Sequence, residues 1–438
     1  MKKVLTGVLI TACSLSVPLL AQESVPLALE EAIALAIKNN KEIIMASLDE
    51  RSAEAKFKQT NAVFLPQIKV SYTALSTNNP LNAFGFRLQQ ESITPSDFNP
   101  ELLNNPSTTH NFLTKAEWQQ PILNIDMLYM RKAANEQRAI YAFKSQRTKE
   151  HLVFEVRKAY AQLQLAWQAK NVTEEALQAI HSIYTSTNNR FEKGYLQKSD
   201  VLNVQVQVAA AESQLAMAKS NVQNASDYLS LLMGTKAGTT YHVDLISGTT
   251  ASDSIDTEVP STRADFQAMQ SVVTAQDMIM KSSKTSYLPK LNGFAEYYIN
   301  DKEAFGFRSN SYLAGAQLSW TLFNGMATQN KVTQLRIERD KTVEQMKYQK
   351  EQSQLELNKT LRQREDALLS LRQYETAVTQ ASEALRILQN RYQQGLVTTN
   401  DMLQSQTVVS QQKLNYAQTL FNLSTTQAYL QFLTSTEK

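Results

Sequence analysis

Cysteine is nearly missing from this chain: among 438 residues there is one, Cys13. It lies in a leader-like segment, so the rest of the chain can form no internal disulfide and offers no thiol nucleophile. Histidine is sparse too. His110, His151, His181 and His242 are scattered without ligand or triad spacing, and the sequence holds neither a P-loop nor a dinucleotide fingerprint, so it reads as no enzyme and calls for no cofactor or metal. Net charge is almost absent. With 44 basic against 41 acidic side chains the formal charge is +3, too balanced for a nucleic-acid partner. Past residue 21 no window offers the roughly 18 to 20 apolar residues of a membrane helix. If a membrane is crossed, strands must cross it.

What is present starts with a leader. Lys2 and Lys3 precede an apolar run over residues 4–20 and then Ala21-Gln22-Glu23, the layout of a secretory signal peptide spanning 1–21. Its removal takes away two lysines and no acid, lowering the charge from +3 to +1. Cys13 follows Ile10-Thr11-Ala12, which resembles a lipoprotein lipobox and makes Cys13 a lipidation candidate. The other reading takes Cys13 as one apolar residue of the leader with cleavage after Ala21, and it is preferred because Val17 to Leu20 would make an oddly apolar tether.

The mature chain is written twice. RFEKGYLQKSDVL at 190–202 returns as RYQQGLVTTNDML at 391–403, without a gap and 201 residues later. Phe64-Leu65-Pro66 is echoed by Tyr287-Leu288-Pro289, and Ala83-Phe84-Gly85-Phe86-Arg87 recurs as Ala304-Phe305-Gly306-Phe307-Arg308. The order is kept, so residues 22–234 and 263–438 read as two copies of one unit, joined by a connector at 235–262 rich in Gly, Thr, Ser and Asp. Each unit opens with a helix, about 27–62 and 264–285, ended by Pro66 or Pro289. Alternating polarity then predicts strands at about 67–76, 111–120, 289–299 and 310–321, with 78–110 as a surface loop. Long helical hairpins follow at about 125–234 and 325–434, whose outgoing arms of some 65 residues make rods of about 100 Å. In the first, Val204, Val208, Ala211, Leu215, Ala218, Val222, Ala225, Leu229 and Leu232 step by 4 and 3, the seam of a coiled coil. Gly194 and Gly395 suit the left-handed turn between arms, and Asp200 and Asp401 suit the start of the returning helix.

The expected fold is therefore mainly α with membrane β, a duplicated unit of strand pair and helix hairpin. Four strands cannot close a barrel, and an open edge in lipid would leave backbone groups unpaired at several kcal/mol each. Three copies would supply a trimeric twelve-stranded β-barrel continued by a long coiled-coil α-barrel. The competing reading is a periplasmic coiled-coil adaptor or scaffold with a small soluble sheet.

The duplicated order of helix, LP-strand, strand, long helix and R-[FY]-x-x-G-x-x-x-x-x-D resembles the TolC family of outer-membrane efflux channels from Leu27 to about Leu433. LEEAIALAIKNN at 29–40, QPILN at 120–124 and WTLFNG at 320–325 are similar to family segments. The resemblance implies a homotrimer in outer-membrane lipid with a large periplasmic portion. It also implies an exit duct for tripartite efflux or type I secretion, docked through a periplasmic adaptor (a membrane fusion protein) onto an inner-membrane transporter. It makes Gly194-Tyr195-Leu196 and Gly395-Leu396-Val397 adaptor contacts, although Tyr195 departs from the family's Gly-Leu form. It further implies that Arg391 and Tyr392 link helices at a closed tip. Asp401 would stand in a threefold ring whose like carboxylates raise one another's pKa, weakened by Gln404 where members often carry a second Asp. The plainer reading is that Asp200 and Asp401 only favour helix starts.

Overall fold

The computed structural model describes residues 24–244 and 257–435; the leader, Cys13 and the cleavage position after Ala21 lie outside them. The described chain opens with strand β1 (Val25–Pro26) and helices α1 (Leu29–Asn39) and α2 (Lys41–Gln59), then a 3-10 turn at Thr60–Val63. The single helix expected over 27–62 is thus two. Asn40 breaks it with φ −62° and ψ 136°, and its buried side chain donates to the Leu232 carbonyl at 2.9 Å. An asparagine that finds a backbone partner elsewhere loses its reason to stay helical.

Strand β2 (Gln67–Thr77) leads into α3 (Pro80–Gln89), a 3-10 turn at Pro95–Phe98 and α4 (Pro100–Asn104), where a plain loop was expected. The prolines explain the difference. Pro80, Pro95 and Pro100 each occupy a first helical position, where no N–H is needed, and follow Asn79, Thr94 and Asn99 at the cap. Asn79 accepts from the Asn82 N–H at 3.2 Å and Asn99 from the Glu101 N–H at 3.0 Å.

Strand β3 (Thr109–Leu123) precedes the long helix α5 (Ile125–Glu192), the returning α6 (Lys198–Met233), and β4 (Tyr241–His242), which pairs parallel with β1. The second copy runs through α7 (Ala264–Thr285), β5 (Lys290–Asp301), β6 (Ser309–Ser319), α8 (Ala327–Gln393) and α9 (Thr399–Thr434). Along α6 the buried residues follow the expected seam at Val204, Ala211, Leu215, Ala218, Val222 and Leu229. Near its end Ser226 and Met233 replace Ala225 and Leu232. A strict seven-residue repeat drifts about 20° per heptad on a straight helix, and one extra step restores the face.

The chain forms two compact units. One collects described segments 24–41, 150–244 and 358–433; the other collects 42–149, 257–357 and 434–435 and contains the sheet. The sheet is an antiparallel meander in the order β2-β3-β5-β6. Its register places Ile68 opposite Trp118, Val70 opposite Ala116, Ala116 opposite Tyr297, and Tyr297 opposite Tyr312. With period-two alternation, one face therefore carries Ile68, Val70, Tyr72, Trp118, Tyr297, Tyr312 and Leu318, and the other Lys69, Ser71, Lys115, Glu117, Glu296 and Ser311. On the polar face the Lys115 ammonium pairs with Glu117 at 2.5 Å and Glu296 at 3.0 Å. The apolar face is bare: Ile68 is 72% exposed and Tyr312 81%.

Candidate functional site

The repeated motif builds two turns with one backbone design. Gly194 (φ +79°) and Gly395 (φ +76°) each take the left-handed conformation that a Cβ would strain. The Gly194 N–H donates to the Phe191 carbonyl at 2.8 Å and the Tyr195 N–H to Arg190 at 2.9 Å; Gly395 to Tyr392 and Leu396 to Arg391, each at 3.0 Å, repeat the pattern. This paired closure satisfies carbonyls left open at a helix end. The next helices start alike. The Asp200 carboxylate accepts the Gln197 N–H at 3.0 Å, while that of Asp401 accepts the Thr398 N–H at 2.9 Å and its hydroxyl at 2.6 Å. Both aspartates are thus helix-start caps. The Thr398 hydroxyl, and then its N–H, hold the Asp401 pKa below the usual aspartate value, so within one chain the shift is opposite to that expected of a carboxylate ring.

The turns share a core. Ile183 of α5, Val204 of α6, Leu385 and Tyr392 of α8, and Met402 and Val409 of α9 form one buried cluster, so the hairpins are packed together by a residue or two from each arm. Tyr392 is its polar centre. Its hydroxyl meets the Thr187 hydroxyl at 3.0 Å and that of Thr399 at 3.1 Å, satisfying a phenol that would otherwise be costly to bury.

Arg190, which the sequence reading did not single out, reaches across from the first hairpin. Its guanidinium donates to the carbonyls of Tyr392 and Gln393 and lies 4.3 Å from the Tyr392 ring centroid. A cation there caps the negative end of α8. Arg391, its repeat mate, is exposed. The sequence signal for Arg190 was its place in the duplicated motif, but nothing in the motif says which of two equivalent arginines faces inward. At the summit Tyr195 is 78% and Leu396 69% exposed, Leu196 and Val397 are half-buried, and Gln404 is exposed one turn past Asp401.

Among the described residues, no group of three or more His, Cys, Asp or Glu side chains could hold a metal ion, and no helix is long and apolar enough to cross a membrane. A sheet with one apolar and one polar face, attached to helices of 68 and 67 residues, defines the class of TolC-like outer-membrane channels. The family model described as outer membrane efflux protein matches residues 32–235 and 258–436, and the chain belongs to that family. Solved structures agree on the fold. The Campylobacter jejuni CmeC outer membrane channel aligns with TM-score 0.79 and 16% identity, over 92% of this chain and 85% of that one. The Vibrio cholerae outer membrane protein VceC aligns with TM-score 0.75 and 17% identity over 92% and 95% of the two chains. The open state of the Neisseria gonorrhoeae MtrE outer membrane channel aligns with TM-score 0.70 and 13% identity over 91% and 88%. No curated protein matches the sequence. The protein is an outer-membrane channel with a large periplasmic part, the exit duct of an efflux system.

Proposed function

We propose that three copies close a twelve-stranded barrel in the outer membrane, β6 of each joining β2 of the next. We propose also that the six turns then present a docking surface for the periplasmic adaptor of an inner-membrane transporter. The observation that carries this reading is the sheet: its apolar face is uncovered, and among the described residues β2 and β6 have a strand neighbour on one side only. In lipid such edges cost several kcal/mol per unpaired backbone group, and only closure removes them. Exposed Tyr195 and Leu396, carried on turns of identical backbone, supply near-equivalent apolar contacts for an adaptor. Exposed Asp401 and Gln404 would ring the periplasmic constriction and favour cations.

Electrophoresis of unboiled outer membranes tests closure, with a band at trimer mass that collapses on boiling as the expected outcome. A monomer band before boiling overturns it. Docking is tested by Tyr195→Asp with Leu396→Asp, which should abolish efflux while leaving trimer levels unchanged. Unaltered efflux would remove the tips from the adaptor contact. Asp401→Ala should lower cation preference in planar bilayers if the ring selects ions.

A further inference from the structure

The proposed function uses the strands and the tip turns, and leaves the chain between β2 and β3 without a role. That segment leaves the sheet at the end opposite the one from which β3 continues into α5 and β6 towards α8. It is ordered by a buried polar network. The Gln90 side-chain amide donates to the His110 carbonyl at 2.7 Å and to Asn111 Oδ1 at 3.0 Å, and Asn111 Nδ2 donates to Asn300 Oδ1 at 2.9 Å. The Ser309 hydroxyl bonds the Gln89 carbonyl and, at 3.1 Å, that of Asn300. Gln90, Asn111, Asn300 and Ser309 are all 3% exposed or less. Satisfied buried amides of this kind fix one arrangement, because any other leaves them unpaired.

The side of the sheet is set by register. Thr77, Asn111, Asn300 and Ser309 alternate onto the face of Ser71, Lys115, Glu117 and Glu296, the polar one. Helix α3 starts three residues past Thr77 of β2, whose hydroxyl accepts the Asn79 N–H at 3.1 Å, and its far end is tied to β6, where the Ser309 hydroxyl donates to the Gln89 carbonyl. Ten helical residues span about 15 Å, and four strands with three spacings about 14 Å, so α3 is as long as the sheet is wide. A second layer locks onto it through the Arg87–Asp97 ion pair and the edge-on Phe84–Phe98 contact at 5.9 Å.

We propose that α3 is a fixed bar across the inner wall at the outer mouth of the duct, and that with its copies it sets the largest solute that passes there, independently of the periplasmic tip. This rests on the reading that the polar face lines a closed barrel. Size-graded thiol labelling from outside intact cells tests it, since the mature chain has no other free thiol. In the otherwise unchanged protein, Ser71→Cys on the inner wall should react with a small methanethiosulfonate and not with a long-chain poly(ethylene glycol) maleimide. Replacing residues 79–107 by a short Gly-Ser turn should raise labelling by the bulky reagent to the level of the small one. Should that replacement impair assembly, Gln90→Ala with Ser309→Ala, which unpins α3 without shortening the chain, should admit the bulky reagent in part. Bulky labelling of the unshortened protein, or continued exclusion after shortening, overturns the proposal. Asn104→Cys, exposed on α4, must react with both reagents. If it reacts with neither, the surface placement itself fails, an outcome distinct from failure of the bar.

Discussion

Two motifs are duplicated in this chain, and they have met different fates. The thirteen residues at 190–202 and 391–403 fold twice into the same turn, whereas Ala-Phe-Gly-Phe-Arg is helical at 83–87 and a hairpin connection at 304–308. The tip motif carries its own instructions: a glycine for the left-handed residue, closure bonds to the preceding turn, and an aspartate for the next helix start. The pentapeptide carries none. Asn79-Pro80 starts a helix ahead of the first copy, while the β5-β6 ladder closes around the second and drives Phe305 to φ +58°. Sequence identity preserves structure where the determinants lie inside the repeat, and loses it where they lie outside.

The largest expected contrast comes from one substitution made in both pentapeptides. A Cβ at Gly306 would lie 2.2 Å from Asp301 Oδ2 and 2.9 Å from Asp301 Cβ. Asp301 cannot swing aside freely, for its carboxylate accepts the N–H groups of Glu303 at 3.0 Å and Arg308 at 3.1 Å. Gly306→Ala should therefore destabilise by about 1 to 3 kcal/mol. A Cβ at Gly85 meets nothing within 4 Å, and the residue is inside a helix, so Gly85→Ala should stabilise by roughly 0.8 to 1 kcal/mol. Denaturant midpoints of the refolded protein check both, and equal shifts of one sign would mean that the pentapeptides do not differ in the way described.

Next in size is a contrast inside the motif that keeps its shape. Arg190→Ala removes a guanidinium from two carbonyls and from the Tyr392 ring, a loss of about 1.5 to 3 kcal/mol at the tip. Arg391→Ala, at the exposed mate, should change stability by less than about 0.5 kcal/mol. Tyr392→Phe falls between, since Thr187 keeps its bond to the Ile183 carbonyl at 2.8 Å when the phenol is gone. Single-channel conductance provides the functional readout: it should rise for Arg190→Ala and stay unchanged for Arg391→Ala.

These contrasts also mark what the residues disclose in advance. The alternation at 67–75 locates β2 and its polar face because a half-buried strand has a strict period of two. The long helices are equally legible, since proline and internal glycine are missing from them. Helices α3 and α4 are not legible in the same way, because Asn-Pro suits a loop as well as a helix start, where the proline follows a capping residue. At the tip, turn geometry and caps were written in Gly194, Gly395, Asp200 and Asp401, but the choice of Arg190 over Arg391 is made by packing between hairpins, which no single-segment pattern records.

The smallest effect is a pH dependence at the second cap. Asp401 takes a side-chain and a backbone hydrogen bond from Thr398, and its folded pKa is depressed. A depressed carboxylate contributes stability above its unfolded pKa of about 3.9, and that contribution drains away as pH falls through the lower folded value. Asp401→Asn should accordingly lower the denaturant midpoint near about pH 6, and the deficit should shrink as pH falls below about 3.9 towards the depressed folded value. Asp200→Asn, which alters one hydrogen bond where Asp401→Asn alters two, should lower the midpoint less near about pH 6. A loss for Asp401→Asn that does not change with pH would assign the effect to shape and not to charge.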